Sequence, residues 1–276
     1  MEDMRNQRGQ ILYLVIPCYN EQEVLPETSK RLLEKLESLM EQKMISKDSR
    51  ILFVNDGSRD RTWEMIEELH RENPVFLGVK LSRNRGHQNA LLGGLMTAKE
   101  YADMVISLDA DLQDDIDVID QFVEKYYEGC EIVYGVRSAR NTDTFFKKFT
   151  AEGFYRIINR MGGEVVFNHA DYRLMSRRAL QEMENYQEVN LFLRGIVPMI
   201  GFQTDVVTYE RHERFAGESK YPLKKMLALA VDGITSLSIK PIRLIVFLGM
   251  FIFLCSIAML AYSLIQHFLG NTSIGW

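Results

Sequence analysis

Met104-Val105-Ile106-Ser107-Leu108-Asp109-Ala110-Asp111 is a short uncharged run that ends in two carboxylates two positions apart. The run at 104–108 predicts a buried strand, and the residues before it repeat the theme. A helix is expected over 88–101 and another strand over 76–81. Residues 51–54 form a strand closed by the turn Asn55-Asp56-Gly57-Ser58, and Asp60 can cap the helix that follows, with Trp63, Ile66 and Leu69 or His70 facing inward. The first strand is 12–17. After it, Leu32, Leu33, Leu36, Leu39 and Met40 recur on one face of a helix. Strand, helix, strand, helix predicts a mainly parallel α/β sheet covered on both faces. Ligands in such sheets bind beyond the carboxyl ends of the strands, which is where Asp56, Asp109 and Asp111 fall.

Composition narrows the class. The 276 residues are 46% hydrophobic and 26% charged, as expected for one sizeable folded domain plus an appendage. The net charge of −5 leaves no domain-wide basic field, so a nucleic-acid partner is excluded. Cys18, Cys130 and Cys255 share no metal-like or disulfide-like spacing, which fits a reducing compartment. Residues 1–10 are polar and carry no apolar signal-peptide core.

The C-terminal end differs. Residues 244–269 contain no Asp, Glu, Lys or Arg over 26 positions, and about 20 suffice to cross a bilayer. Lys224, Lys225, Lys240 and Arg243 precede the run and no Lys or Arg follows it, so the larger part of the chain is expected on the cytoplasmic side. Just upstream, Leu223, Met226, Leu227, Ala230, Ile234 and Leu237 form one apolar stripe. An amphipathic helix of that kind either lies in the headgroup plane or packs on the soluble domain. The expected division is therefore a domain at 1–221, a juxtamembrane helix at 222–243, a transmembrane helix at 244–269 and a final stretch at 270–276.

Taken singly, the acidic motifs are weak. An Asn-Asp-Gly-Ser turn serves equally as a plain turn. Asp109 and Asp111, followed by Gln113, Asp114 and Asp115, either hold a hard divalent cation through oxygen or supply acidic residues at a helix start. Their combination is more specific. Pro17-Cys18-Tyr19-Asn20-Glu21, Asp56-Gly57-Ser58 and Asp109-Ala110-Asp111 occur in the order and spacing of family 2 glycosyltransferases of the GT-A fold. Gly135-Val136-Arg137, Ala170-Asp171-Tyr172-Arg173-Leu174-Met175 and Arg214-Phe215-Ala216-Gly217-Glu218-Ser219-Lys220-Tyr221 resemble the polyprenyl-phosphate subgroup. That subgroup includes bactoprenol glucosyltransferases and dolichol-phosphate mannose synthases, and the resemblance runs from about residue 12 through the membrane span.

The resemblance implies roles. Pro17, Tyr19, Glu21 and Asp56 would line the base and ribose of a nucleotide-sugar, and Asp109 and Asp111, with Gln113 assisting, would hold Mg²⁺ or Mn²⁺ at its diphosphate. Asp171 resembles the catalytic acidic residue near the anomeric carbon, with an orienting role as the alternative to proton abstraction. Arg137, Lys147, Arg214 and Lys220 are candidates to meet the lipid phosphate, and the segment at 217–220 reads as a loop over the site or as a linker. The expected reaction is inverting transfer of glucose or N-acetylglucosamine, from a UDP carrier with GDP as rival, to undecaprenyl phosphate at the plasma membrane. Self-association stays open. The resemblance also implies a second membrane helix, with Gly275-Trp276 as its approach. Two alternatives compete: a non-catalytic nucleotide-sugar binder and a processive polysaccharide synthase. The latter's Gln-x-x-Arg-Trp motif is missing, since neither Trp63 nor Trp276 follows an arginine and Asn190-Leu191-Phe192-Leu193-Arg194-Gly195 occupies that region.

Overall fold

The computed structural model describes residues 9–138, 169–186, 193–211 and 240–270. Lys147, Arg214, Lys220, the segment at 217–220, the juxtamembrane helix ahead of residue 240 and residues 271–276 lie outside the described residues. Seven strands form one sheet: β1 (Leu12–Cys18), β2 (Arg50–Asn55), β3 (Phe76–Lys80), β4 (Met104–Ser107), β5 (Ile132–Arg137), β6 (His169–Ser176) and β7 (Thr204–Tyr209). Their order is β3-β2-β1-β4-β6-β5-β7. Six strands run one way, and β6 alone is antiparallel, to β4 on one side and β5 on the other. The mainly parallel sheet is as expected; the reversed strand is new.

Helices α1 (Leu25–Glu41), α2 (Thr62–Glu72), α3 (His87–Lys99), α4 (Ile119–Tyr127), α5 (Arg177–Met183) and α6 (Leu193–Met199) cover both faces of the sheet. Every residue of β1 is buried. Leu12, Leu14 and Ile16 enter the core formed with α1 and α4, whereas Tyr13 and Val15 enter the one formed with α3. Burial on both faces is why β1 reads as a continuous apolar run rather than an alternation. On α1, the periodic Leu32, Leu36 and Leu39 are fully buried, each worth about 1.5–3 kcal/mol relative to exposure. Arg61, not Asp60, stands at the N-cap of α2. Asp60 still acts on the first turn, since its Oδ1 accepts from the Thr62 N–H at 3.1 Å.

Helix α3 lies close on the sheet because of Gly94. A Cβ there would stand 2.5 Å from Val15 Cγ1 and 2.6 Å from Val54 Cγ2. Overpacking at such a contact costs about 1–3 kcal/mol, so Gly94→Val should lower Tm by roughly 3–10 °C. An unchanged thermal melt would show that α3 moves aside freely.

Helix α7 (Lys240–Phe268) stands apart in character. Within its segment Ile242–Phe268 an 18-residue window reaches a mean hydropathy of 2.8, and none of that window is buried against the described residues. Its 27 residues rise about 40 Å, enough to cross a hydrocarbon core of about 30 Å with tilt. The expected span at 244–269 overlaps this helix.

Candidate active site

The carboxyl ends of β1, β2 and β4 open onto one set of interlaced loops. The Asp56 N–H donates to the Cys18 carbonyl at 2.8 Å, joining the turn after β2 to the end of β1. Around it, the Asn20 N–H donates to Ser58 Oγ, the Arg59 N–H to Asn20 Oδ1 and the Glu21 N–H to Thr62 Oγ1. Pro17 is buried in β1, in register with Val54, while Tyr19 and Glu21 are half-buried on the loop. Asp56 has a demanding structural task. Its Oδ1 accepts from the Arg85 N–H at 2.6 Å and its Oδ2 from the Gly86 N–H at 3.0 Å. That carboxylate therefore fixes the loop that delivers His87 at the start of α3. Gly57 makes the approach possible: its φ is +68°, and a Cβ would meet the Asn84 nitrogen at 2.6 Å.

Asp109 and Asp111 follow β4 directly and are both half-buried. Leu112, a bulky residue at φ +55°, turns the chain sharply after them, and such strain concentrates at functional sites. The turn brings the Gln113 N–H to Asp111 Oδ1 at 3.2 Å. Gln113 Oε1 accepts from Arg211 Nη2, so the amide is engaged by a residue just past β7. Among the described residues no group of three or more His, Cys, Asp or Glu is arranged to enclose a metal. Two carboxylates and an amide oxygen suit a hard cation that keeps water and takes its remaining ligands from substrate phosphate. The residues present fit Mg²⁺ or Mn²⁺ in that open manner.

A second group gathers on β6. Asp171 is buried, and its Oδ1 accepts from Arg173 Nη2 at 2.5 Å. Arg194, near the start of α6, reaches it with Nε to Oδ1 and Nη2 to Oδ2, both at 3.2 Å. From α3, Gln88 Nε2 donates to Oδ2 at 3.4 Å, while Gln88 Oε1 accepts from the Leu193 N–H at 3.0 Å. His87 Nε2 bridges the two acidic groups, 3.5 Å from Asp171 Oδ2 and 3.7 Å from Asp109 Oδ1. Burial opposes charge on Asp171, but Arg194, His87 and Arg173 outweigh it and hold the carboxyl well below the usual range. Burial also opposes charge on His87; the hydrogen bond to Asp171 and the field of Asp109 nevertheless raise its pKa. Asp109 is pushed up to about 6 by burial, with His87 opposing and Asp114, Asp171 and Asp111 adding to the rise.

A third group gathers at Asp114, three residues past Asp111. Asp114 is buried, and its Oδ1 accepts from Arg137 Nη2 at 3.1 Å and from the Tyr209 hydroxyl at 2.5 Å. Arg137 Nε also donates to the Tyr209 oxygen at 3.2 Å. The expected acceptor arginine is thus a partner of a buried carboxylate, with about a quarter of its side chain still open to solvent.

Of the residues singled out in the sequence, the structure brings Asp109 and Asp171 together through His87, and Asp111 and Gln113 through their turn. Tyr19, Glu21 and Asp56 share the loops after β1 and β2, and Pro17 stands one residue from the end of β1. His87, Gln88, Tyr209 and Arg211 were given no role in the sequence, Asp114 appeared only among the acidic residues after Asp111, and Arg194 only within the segment at 190–195. A signal existed for His87 and Gln88, because polar residues that open a helix after β3 satisfy the rule that draws attention to Asp109.

Residues 13–184 match the family model for glycosyl transferase family 2. The chain belongs to that family and is a glycosyltransferase. It is 56% identical to an uncharacterized glycosyltransferase of Bacillus subtilis, YkoT, over 96% of this chain and 79% of that protein. It is 40% identical to the bactoprenol glucosyl transferase of Shigella phage SfV, over 87% of this chain and 76% of that one. Among solved structures, the fold resembles glucosyl-3-phosphoglycerate synthase of Mycobacterium tuberculosis, solved with Mn²⁺, UDP and phosphoglyceric acid. The TM-score is 0.55 at 14% identity, covering 86% of this chain and 81% of that one. The likeness establishes the GT-A fold.

Proposed function

We propose that the protein transfers a sugar, glucose or N-acetylglucosamine, from a UDP carrier to undecaprenyl phosphate at the cytoplasmic face of the plasma membrane. The observation that carries this is a family 2 site with two carboxylates beyond β4, flanked by Arg137, Arg194 and Arg211, in a chain that also holds a membrane-length apolar helix. The likeness to a bactoprenol glucosyl transferase supports the lipid acceptor.

In this account Asp109, Asp111 and Gln113 hold the divalent cation, whose chemistry is to neutralise charge on the departing nucleoside diphosphate. Pro17, Tyr19, Glu21 and Asp56 line the base and ribose. Arg137, with Lys147, Arg214 and Lys220, meets the lipid phosphate. One oxygen of that phosphate attacks the anomeric carbon as the bond to the diphosphate oxygen breaks. The result is an inverted lipid-phosphate sugar and a free nucleoside diphosphate. No general base is needed, because a phosphate monoester with a second pKa near about 6 is mostly ionised at neutral pH. Asp171 is poorly suited to accept a proton in any case, since Arg194, His87 and Arg173 favour its charged form. The domain at 1–221 works at the surface, anchored through 222–243 and 244–269.

Purified full-length protein in detergent, given UDP-glucose or UDP-N-acetylglucosamine with Mn²⁺, should release UDP only once undecaprenyl phosphate is added. Equal release without lipid would contradict the acceptor. In cells, a reporter fused ahead of residue 11 should read as cytoplasmic, since positive charge precedes the span. Cleavage of the domain by protease added outside would reverse the orientation.

A further inference from the structure

We propose that Arg194 grips the diphosphate of the donor, and that Asp171 acts by aiming it. The inference rests on the nucleotide-sugar donor argued above and adds a residue to it. A guanidinium has five N–H groups in a planar fork. Arg194 commits Nε and one N–H of Nη2 to the two oxygens of Asp171. Its Nη1 has no partner among the described residues, and 35% of the side chain is open to solvent. Among the described residues the guanidinium is thus fixed along one edge and free along the other.

The charge balance points the same way. Asp171 is already neutralised within the interior by Arg173, whose side chain is 1% exposed and whose Nη2 stands 2.5 Å from Oδ1. Arg194 therefore brings a positive charge that the buried pair does not require. Asp171 faces five donors in all: two from Arg194 and one each from Arg173, Gln88 and His87. A carboxylate offers about four lone-pair sites, so this one is saturated and suited to holding its neighbours rather than moving a proton.

Position selects the ligand. His87 links the Asp171 group to Asp109, so Arg194 is joined to the acidic pair through Asp171 and His87, whereas Arg137 and Arg211 are held by Asp114 and Gln113. Transfer between two phosphate esters presents two anions, one leaving and one attacking. Two separately held cationic groups can serve one each. With Arg137 given to the attacking phosphate, Arg194 takes the diphosphate, and a guanidinium recognises two such oxygens with its free edge.

The test is calorimetric. Wild type and Arg194→Gln are titrated, in Mn²⁺ and without lipid, with UDP, GDP, UMP and GMP. Arg194→Gln should lose roughly ten- to a hundredfold in affinity for whichever diphosphate wild type binds, while the matching monophosphate changes by less than about threefold. Arg194→Lys, which keeps the charge without the fork, should recover only part of the loss, and it carries the comparison if the Gln variant melts early. Asp171→Asn should weaken diphosphate binding in the same direction, yet leave the shape of the kcat–pH profile unchanged. Unaltered diphosphate affinity in the Arg194 variants, or equal loss for mono- and diphosphate, overturns the proposal. Disappearance of a limb of the pH profile in Asp171→Asn would instead make Asp171 a proton acceptor and overturn the aiming role. Wild type that binds neither UDP nor GDP would remove the donor reading, and this inference with it.

Discussion

Asp111→Asn is expected to reduce sugar transfer by about 10²–10³-fold or more while the domain stays folded, in line with losing one preorganised electrostatic group. The substitution keeps the shape of the side chain and an oxygen able to accept from the Gln113 N–H, the bond Asp111 Oδ1 makes at 3.2 Å. What it removes is charge, at a place where the proposed cation site has only Asp109 as a second carboxylate. A two-carboxylate site has no spare donor to compensate. Circular dichroism should superimpose on wild type, and initial rates should stay low at all Mn²⁺ concentrations that saturate the parent. Chelator should abolish wild-type transfer, with Mg²⁺ or Mn²⁺ restoring it. Full activity of the variant, or of wild type in excess chelator, would take the cation out of the account.

Arg137→Ala should be damaging for two separable reasons. The first is structural: Arg137 is the cationic partner of Asp114, whose carboxylate is 3% exposed and whose Oδ2 has no hydrogen-bond partner among the described residues. Removing one member of a buried ion pair costs about 3–5 kcal/mol when the other is left uncompensated, so a marked drop in Tm is expected. Arg137→Lys separates the second reason. An ammonium can still neutralise Asp114, but it cannot present a planar fork to a phosphate. The Lys variant should therefore melt near wild type yet show a KM for undecaprenyl phosphate raised roughly tenfold, with UDP affinity in the absence of lipid unchanged. A KM equal to wild type in a stable Lys variant would confine Arg137 to its structural pairing with Asp114.

The half of the fold that holds the acidic turn was legible because its strands are buried on both faces. β1, β2 and β4 read as apolar runs, and Leu32, Leu36 and Leu39 place α1 through their period. Strand direction was not legible. β6 is inserted between β4 and β5 by pairings 33 to 72 residues apart in sequence, and no local pattern encodes that. What the alternation along β6 does encode is that Asp171 and Arg173 share one face while Tyr172 points away, toward Phe122 and Tyr209. The site was legible where residue type announces chemistry, as at Asp109 and Asp111. It was hidden where the partner is a backbone group or a distant cation. Asp56 spends both oxygens on the N–H groups of Arg85 and Gly86, which have no side-chain signature. His87 was passed over because the expected helix began one residue later, at 88, and a one-residue shift at a helix start lies within the ordinary scatter of such boundaries. Arg194 came into view only as part of a segment lacking Gln-x-x-Arg-Trp; its meaning depends on a carboxylate 23 residues away.

Partition of a labelled sugar into lipid reports transfer to a lipid phosphate without an intermediate readout. Full-length protein in detergent is incubated with undecaprenyl phosphate, Mn²⁺ and a panel of radiolabelled UDP- and GDP-sugars, and the organic phase is counted. The expected result is label in the lipid fraction from UDP-glucose or UDP-N-acetylglucosamine, absent without undecaprenyl phosphate and absent with Asp111→Asn. Folded protein that binds a nucleoside diphosphate yet carries no label from any donor into the lipid phase would contradict the account.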